Sequence, residues 1–259
     1  FFGAKRKLSW VIHFTALFVG FLILPYFYVL SATSDPYFEK PLVIQIDSKR
    51  GIGYVLDGNE SGKLTAFSLN DPSRWVAFNV GYIFSDQYFD EVSGQLYITS
   101  GHPQEVRIFK SEDIAPYLGR GLIDDYAVLP FKAIPLSGYP VLFEGMTFDA
   151  EHTRAFVALY GQEGKIAVIN SDYSVKYINI GASVYRPTYD QKTKLLAVTH
   201  LDAPFVSLVD PDTEVITRLE LKAPAIYSEI DTSRSLLYVL QATEPAVSTI
   251  DLKSKKKIN

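Results

Sequence analysis

The 259-residue sequence contains no cysteine. This absence excludes disulfide bonds, thiolate-ligated metal sites, iron–sulfur clusters, covalently attached c-type haem and a cysteine nucleophile. The sequence also has no Walker loop, GxSxG elbow, HExxH pair or EF-hand loop. It therefore favours a non-catalytic protein without cofactor or metal, and it leaves an enzymatic role open.

A basic stripe is missing as well. Lys and Arg number 25 against 29 Asp and Glu, and the formal net charge is −4. Two basic clusters, at residues 5–7 and 253–257, lie near the two ends, so the body of the chain between them is acidic. Nucleic-acid binding depends on clustered Lys and Arg that neutralise phosphates, and nucleic acid is therefore not an expected partner.

One long segment has no formal charge. Residues 8–30 read LSWVIHFTALFVGFLILPYFYVL, which as a helix would span about 35 Å and cross a hydrocarbon core of about 30 Å. The basic cluster at residues 5–7 precedes it, and the positive-inside rule then places the N-terminus in the cytoplasm. We predict a stub and a single transmembrane α-helix over residues 1–32, a linker over 33–40, and a following domain outside the inner membrane, in the periplasm.

The alternative for this segment is a cleaved signal peptide. Its apolar region would be unusually long, and Leu30 is larger than the small residue expected at the −3 position of a cleavage site.

His13 lies inside the predicted span, where an imidazole can be an axial ligand of haem or a pigment. The other reading of His13 is a hydrogen bond to a neighbouring helix or to lipid headgroups.

After the linker, a repeat begins. Each unit starts with a short apolar strand that ends in Asp, followed by a polar turn and three further strands. The repeat aspartates are Asp47, Asp90, Asp149, Asp190 and Asp231, at spacings of 43, 59, 41 and 41 residues. Four short strands at a period near 40 are typical of β-propeller blades. We predict an all-β domain of four-stranded blades over residues 41–259, with each Asp capping the turn that follows it.

Two units carry a specific resemblance. The segments D-x4-LLAVTH-x4-FVSLVDPDTEVI and D-x4-LLYVLQ-x4-AVSTIDLKSKK, from Asp190 and Asp231, resemble the YVTN-type repeat of bacterial β-propellers. The resemblance implies a propeller that serves as a binding platform, a scaffold or, in some members, an enzyme. Rings of that family usually have seven blades and five units are visible, which predicts a five-bladed ring or an incomplete larger one.

The second unit is about 18 residues longer than the others, because of an insertion at about 111–131. We expect Ser111 to cap a short helix there and Pro116 to shorten it. The many apolar residues of the insertion fit a lid packed on its own blade or a docking element for a partner subunit. The candidate partner contacts are Tyr117, Leu118, Leu122, Ile123, Tyr126 and Leu129.

The loops between second and third strands supply the candidate ligand site. In a propeller these loops surround one mouth of the central channel, where their polar side chains could bind a small molecule or a metal with nitrogen and oxygen ligands. The alternative is a set of unrelated polar loop ends. The candidates are Asp57, His102, Tyr160, His200 and Gln241.

Two functions follow from these features. The first is a membrane-anchored, non-catalytic accessory or scaffold subunit, whose partners are the bilayer, through residues 8–30, and other subunits of a membrane complex. The second is a periplasmic enzyme or ligand sensor that uses the channel mouth. Co-purifying subunits would favour the first function, and bound metal or a ligand-induced thermal shift would favour the second.

Overall fold

The computed structural model describes residues 38, 40–58, 62–80, 82–123, 129–141, 144–243 and 247–258. These residues form five sheets in chain order, each with four antiparallel strands, and the first sheet has a fifth strand that pairs in parallel. Sheet 1 contains β1 (Pro41–Asp47), β2 (Ile52–Asp57), β3 (Lys63–Ser68) and β4 (Trp75–Asn79). Sheet 2 contains β5 (Tyr82–Asp90), β6 (Gln95–His102), β7 (Gln104–Lys110) and β9 (Phe131–Pro135).

The last three sheets are simple four-stranded meanders. Sheet 3 contains β10 (Met146–Asp149), β11 (Arg154–Leu159), β12 (Lys165–Ile169) and β13 (Val175–Asn179). Sheet 4 contains β14 (Pro187–Asp190), β15 (Leu195–Thr199), β16 (Phe205–Val209) and β17 (Ile216–Glu220). Sheet 5 contains β18 (Ala225–Asp231), β19 (Leu236–Gln241), β20 (Val247–Asp251) and β21 (Lys256–Lys257). The prediction of an all-β domain built from four-stranded units is confirmed.

The predicted membrane span at residues 8–30, His13 included, lies outside the described residues. Within the part of the chain that the structure describes, no helix has the length and hydropathy needed to cross a bilayer.

Each repeat Asp caps the turn after it, as predicted. Asp90 accepts hydrogen bonds from the backbone N–H groups of Val92 and Ser93 at 3.0 and 3.1 Å, and the other four aspartates make equivalent bonds. The fourth residue after each Asp has a positive φ, which only Gly adopts without strain. These five residues are Gly51, Gly94, Thr153, Lys194 and Ser235. The same turn therefore joins the first two strands in every sheet.

The core lies between the sheets, in four apolar layers that we call seams. Each seam joins two successive sheets, and the first strands also follow one another: β1 packs on β5, β5 on β10, β10 on β14 and β14 on β18. Packing of comparable extent between β18 and β1 is absent from the described strands. The five sheets thus form an array with two end faces, one on sheet 1 and one on sheet 5.

One side-chain pair recurs across the seams. The residue seven positions after the repeat Asp packs on the residue just before the Asp of the next sheet. The ring centroids are 5.6 Å apart for Tyr54 and Phe89, 5.3 Å for Tyr97 and Phe148, and 5.1 Å for Phe156 and Tyr189. In the fourth seam the same two positions are Ala197 and Ile230. We call these two positions the seam pair.

The fourth seam lacks a hydrogen bond that the third has. Tyr189 Oη donates to Asp149 Oδ2 at 3.2 Å, whereas Asp190 Oδ1 is a buried oxygen without a hydrogen-bond partner. We expect Ile230→Tyr to place a hydroxyl on Asp190, since Ala197 leaves more room than Phe156 does. The variant should gain about 1 kcal/mol in the free energy of unfolding, measured by urea titration. Ile230→Phe, which lacks the hydroxyl, should not share this gain; an equal gain would contradict the argument.

The insertion in sheet 2 packs on sheet 1. A four-residue helix, α1 (Ser111–Ile114), leads into a 3-10 turn at Ala115–Tyr117, and β8 (Gly121–Ile123) pairs in parallel with β4. Ser111 does not cap the helix, because its Oγ donates instead to Asp47 Oδ2, and Tyr54 Oη is 2.5 Å from the same Oγ. Ser111 therefore links the second sheet to the turn of the first.

Most predicted partner contacts of the insertion belong to the domain's own core. Tyr117, Leu118, Ile123 and Leu129 pack against the first seam, and the Tyr117 ring meets Phe78 edge-on at 5.6 Å. This packing fits the alternative of a lid on the domain itself, and a docking role for these four side chains stays a prediction. Leu122 is exposed, as a docking residue requires, and Tyr126 lies outside the described residues.

Candidate functional site

The candidate loop residues occupy different positions in the repeat. The tenth position after each Asp lies at or near the end of the second strand, and every side chain there is buried: Asp57, Ser100, Leu159, His200 and Gln241. Two of the predicted residues, His102 and Tyr160, lie two and one positions beyond it, and both are exposed. The structure corrects the expectation of five side chains on one surface, because three of the five are buried inside the sheets.

His200 and Gln241 do the same structural work in sheets 4 and 5. His200 Nδ1 lies 2.6 Å from the Ser183 carbonyl oxygen and therefore carries the proton, while Nε2 accepts from Ser207 Oγ at 3.0 Å. Gln241 Oε1 accepts from the backbone N–H of Ala223 at 3.0 Å, and its Nε2 donates to Ser248 Oγ at 3.2 Å. Each side chain ties the loop that enters its sheet to the third strand, so neither is placed to bind a ligand.

The remaining candidates differ in their surroundings. Asp57 ends β2 opposite Lys63 and is buried, and His102 precedes a cis-proline at the exposed end of β6. Within the described ranges, no group of three or more His, Cys, Asp or Glu side chains is arranged to hold a metal ion. Tyr160 borders a cavity of about 360 Å³ whose polar wall includes Gln162, Glu163 and Lys165.

A charged cluster on the first strands was not anticipated from the sequence. Arg186, just before β14, pairs with Glu144 before β10, and its Nη2 lies 3.3 Å from Glu229 Oε2 on β18. Its guanidinium also lies 3.8 Å from the centroid of the Tyr227 ring. The cluster joins sheets 3, 4 and 5 at their first strands. Glu144 and Glu229 lie 42 and 43 residues from Arg186 in the sequence, which is why no local motif indicates the cluster.

Asp86 lies beside this cluster, in a bulge of β5 at the seam of sheets 2 and 3. Its carboxylate accepts the backbone N–H of Gln87 at 2.8 Å and of Met146 at 3.0 Å. Burial, and to a smaller extent Glu144, raise the pKa of Asp86, while the two N–H bonds and Arg186 lower it, and the net effect is a pKa of about 7. Asp86 therefore links sheets 2 and 3 through hydrogen bonds, and its carboxyl group titrates near neutral pH.

Asp86 should make stability depend on pH. Its pKa is higher in the folded chain than in the unfolded chain, so the folded state binds the extra proton between about pH 4 and 7. The free energy of unfolding should therefore fall as the pH rises through this range. Urea titrations of Asp86→Asn, which carries no titrating proton, should lose this slope. An unchanged slope in the variant would assign the pH dependence to other groups.

Comparisons with known proteins place the fold. No family model matches the sequence, and no curated protein matches it. A chain of a solved nidogen/laminin complex matches with a TM-score of 0.60 and 12% identity, covering 85% of this chain and 78% of that one. Raptor from Chaetomium thermophilum matches with a TM-score of 0.65 and 15% identity, covering 88% of this chain and 21% of that one. At these identities the likeness concerns the fold alone, and this chain has a β-propeller-like fold.

Proposed function

We propose that this protein is a membrane-anchored, non-catalytic accessory subunit of a larger membrane complex, with a YVTN-type propeller that binds proteins in the periplasm. The observation that carries the proposal is the pair of apolar end faces on the array. Ile44 and Ile46 are exposed on sheet 1, and Leu240 and Val247 are exposed on sheet 5. Contiguous exposed apolar surface of this kind marks interaction sites in soluble domains.

The anchor is supported by the sequence of residues 1–32. Twenty-three consecutive residues without formal charge follow three basic residues, which favours a single span with a cytoplasmic N-terminus. Carbonate washing should leave the full chain in the membrane fraction and release a variant that lacks residues 1–32. Protease added to the periplasmic side should reach the propeller in the full chain. Cleavage from the cytoplasmic side instead would contradict the orientation.

Purification in mild detergent tests the binding role. The full chain should elute with at least one other membrane protein at a fixed ratio, identified by mass spectrometry. Val247→Asp should weaken this association, because it places a charge on an apolar end face. Val92→Asp is the matched control, since Val92 is also an exposed valine but lies in a turn of sheet 2. A full chain that elutes alone under these conditions would overturn the proposal.

The cavity beside Tyr160 favours a second candidate function, a ligand sensor. A tyrosine ring flanked by an amide, a carboxylate and an ammonium group suits a small polar solute. Thermal-shift measurements with neutral monosaccharides and with Zn²⁺ would detect such binding. A shift that Tyr160→Ala abolishes would support the sensor, and the absence of any shift would leave the accessory role alone.

A further inference from the structure

The four seams follow one positional rule. A sheet presents the seventh and ninth residues after its Asp to the next sheet, together with the third-strand residue opposite the ninth. At the ninth position Leu56 and Ala158 are fully buried, and so are their third-strand neighbours Leu64 and Ile166. The next sheet meets this surface with the residues one and three positions before its own Asp. These positions define what a complete seam needs.

Sheet 5 carries the first half of a seam, and no other described strand packs on it to complete that seam. The seventh position is Tyr238, an aromatic residue as in sheets 1, 2 and 3. The ninth position, Leu240, is 40% exposed and its third-strand neighbour Val247 is 52% exposed, whereas the equivalent side chains in sheets 1 and 3 are fully buried. The end face of sheet 5 therefore carries the apolar residues that a seam requires, but two of them, Leu240 and Val247, are exposed.

Sheet 1 carries the second half. The residue before its Asp is Ile46, 46% exposed, and the residue three before it is Ile44, 56% exposed. In the other four sheets the residue before the Asp is at most 9% exposed: Phe89, Phe148, Tyr189 and Ile230. One chain thus offers both halves of a seam, on opposite ends of the array.

Charges at the outer edges also match. In the seam of sheets 3 and 4, Lys176 Nζ on the fourth strand lies 2.7 Å from Glu214 Oε1, in the turn before the next sheet's fourth strand. Lys257 occupies the register position of Lys176 in sheet 5, because both pair with the third strand one step from its end. Asp71 lies in the corresponding turn of sheet 1, before β4. A seam between the two end faces would therefore bring Lys257 toward Asp71.

We propose that two copies of this chain associate head to tail, with the end face of sheet 5 of one copy forming a fifth seam on sheet 1 of the other. Tyr238 would pack on Ile46 of the second copy, as Tyr97 packs on Phe148 within one copy. The contact uses two different surfaces, so each pair keeps one free face of each kind and can add further copies. The inference rests on the proposed binding role and names a second copy as one occupant of the end faces.

Cysteine crosslinking tests the contact, since the natural chain has no cysteine that could interfere. Full-length Ile46→Cys and Tyr238→Cys carry different affinity tags and are mixed in mild detergent with a short bismaleimide. We expect a crosslinked product that carries both tags, and no crosslink within either variant alone. Val215→Cys is the matched control for Tyr238→Cys, because Val215 is exposed in a turn away from both end faces. It should give no product with Ile46→Cys.

Sedimentation velocity supplies the second measurement. The weight-average mass of the wild-type chain should rise with concentration, while Val247→Asp should remain smaller at every concentration and Val92→Asp should behave as wild type. Absence of the two-tag product overturns the proposal, and so does a crosslink within single copies of the double cysteine variant. If other subunits still co-purify in either case, self-association fails while the binding role stands.

Discussion

Replacing His200 by alanine is expected to lower the free energy of unfolding by about 2–4 kcal/mol. The substitution removes a fully buried ring, leaves a cavity beside Phe205 and takes away both hydrogen-bond partners of the ring. The Ser183 carbonyl and the Ser207 hydroxyl would then be buried without their bonds. Urea titration monitored by circular dichroism measures the loss, and a change below about 0.5 kcal/mol would contradict the structural role.

His200 should also make the fold sensitive to acid. Burial lowers the pKa of His200, and the hydrogen bond to the Ser183 carbonyl offsets this only in part. Its pKa is therefore higher in the unfolded chain, so the unfolded chain takes up a proton first as the pH falls below about 6.5. The stabilisation is complete above that pH and is lost as the pH decreases toward the folded pKa. This slope is opposite to that of Asp86.

The chain offers its own control for His200. Gln occupies the same position in sheet 5, where Gln241 bonds both to the entering loop and to Ser248. His200→Gln should therefore keep more of the stability than His200→Ala and should lose the acid-dependent part. If His200→Gln kept the same slope as wild type between pH 5 and 7, another group would be responsible for it.

Asp149→Ala is expected to cost about 3–5 kcal/mol, because it removes a buried carboxylate from an ion pair. Asp149 Oδ2 accepts from Arg154 Nη2 at 2.7 Å and from Tyr189 Oη at 3.2 Å, and Oδ1 caps the turn through the N–H of Glu151. The substitution would leave Arg154, which is mostly buried, with Asp212 as its remaining partner. Thermal and urea unfolding should both show the loss.

The matched control is Asp231→Ala. Asp231 caps the same turn in sheet 5, but its ion-pair partner Arg234 is exposed, so this substitution should cost clearly less. Burial alone would raise the pKa of Asp149, but the hydrogen bonds from Arg154 and His152 outweigh it and hold that pKa below its usual value. The contribution of Asp149 should therefore be lost as the pH falls below about 4. Equal losses of stability in the two variants would contradict the claim that the buried ion pair of Asp149 with Arg154 sets the larger cost.

The strand plan could be predicted from the sequence because it is local. Each Asp and the four residues after it form one turn, and the apolar run that follows is a second strand in every unit. Strand pairing within a sheet needs only neighbouring segments. The sequence accordingly predicts five units and their four strands, and it places Asp149 correctly as a turn cap.

The candidate site could not be predicted in the same way. His200 and His102 both lie near the end of a second strand, but His200 is at the tenth position after its Asp and is buried, whereas His102 lies two positions further along and is exposed. The sequence does not show at which of these positions the strand leaves the packed part of the sheet. The Arg186 cluster depends on residues from three sheets, which no local pattern connects. The insertion has enough apolar residues for a lid or for docking, and only the three-dimensional structure shows that four of them pack against the first seam.

Hydroxyl-radical footprinting tests most directly the claim that side chains at seam positions are buried between the sheets and are solvent-exposed on the two end faces. At low protein concentration, Ile46, Leu240 and Val247 should be oxidised much faster than their buried counterparts Phe89, Ala158 and Ile166. At high concentration the labelling of the three exposed residues should decrease together, while that of Val92 should stay constant. Equal protection of end-face and seam residues at every concentration would contradict the account.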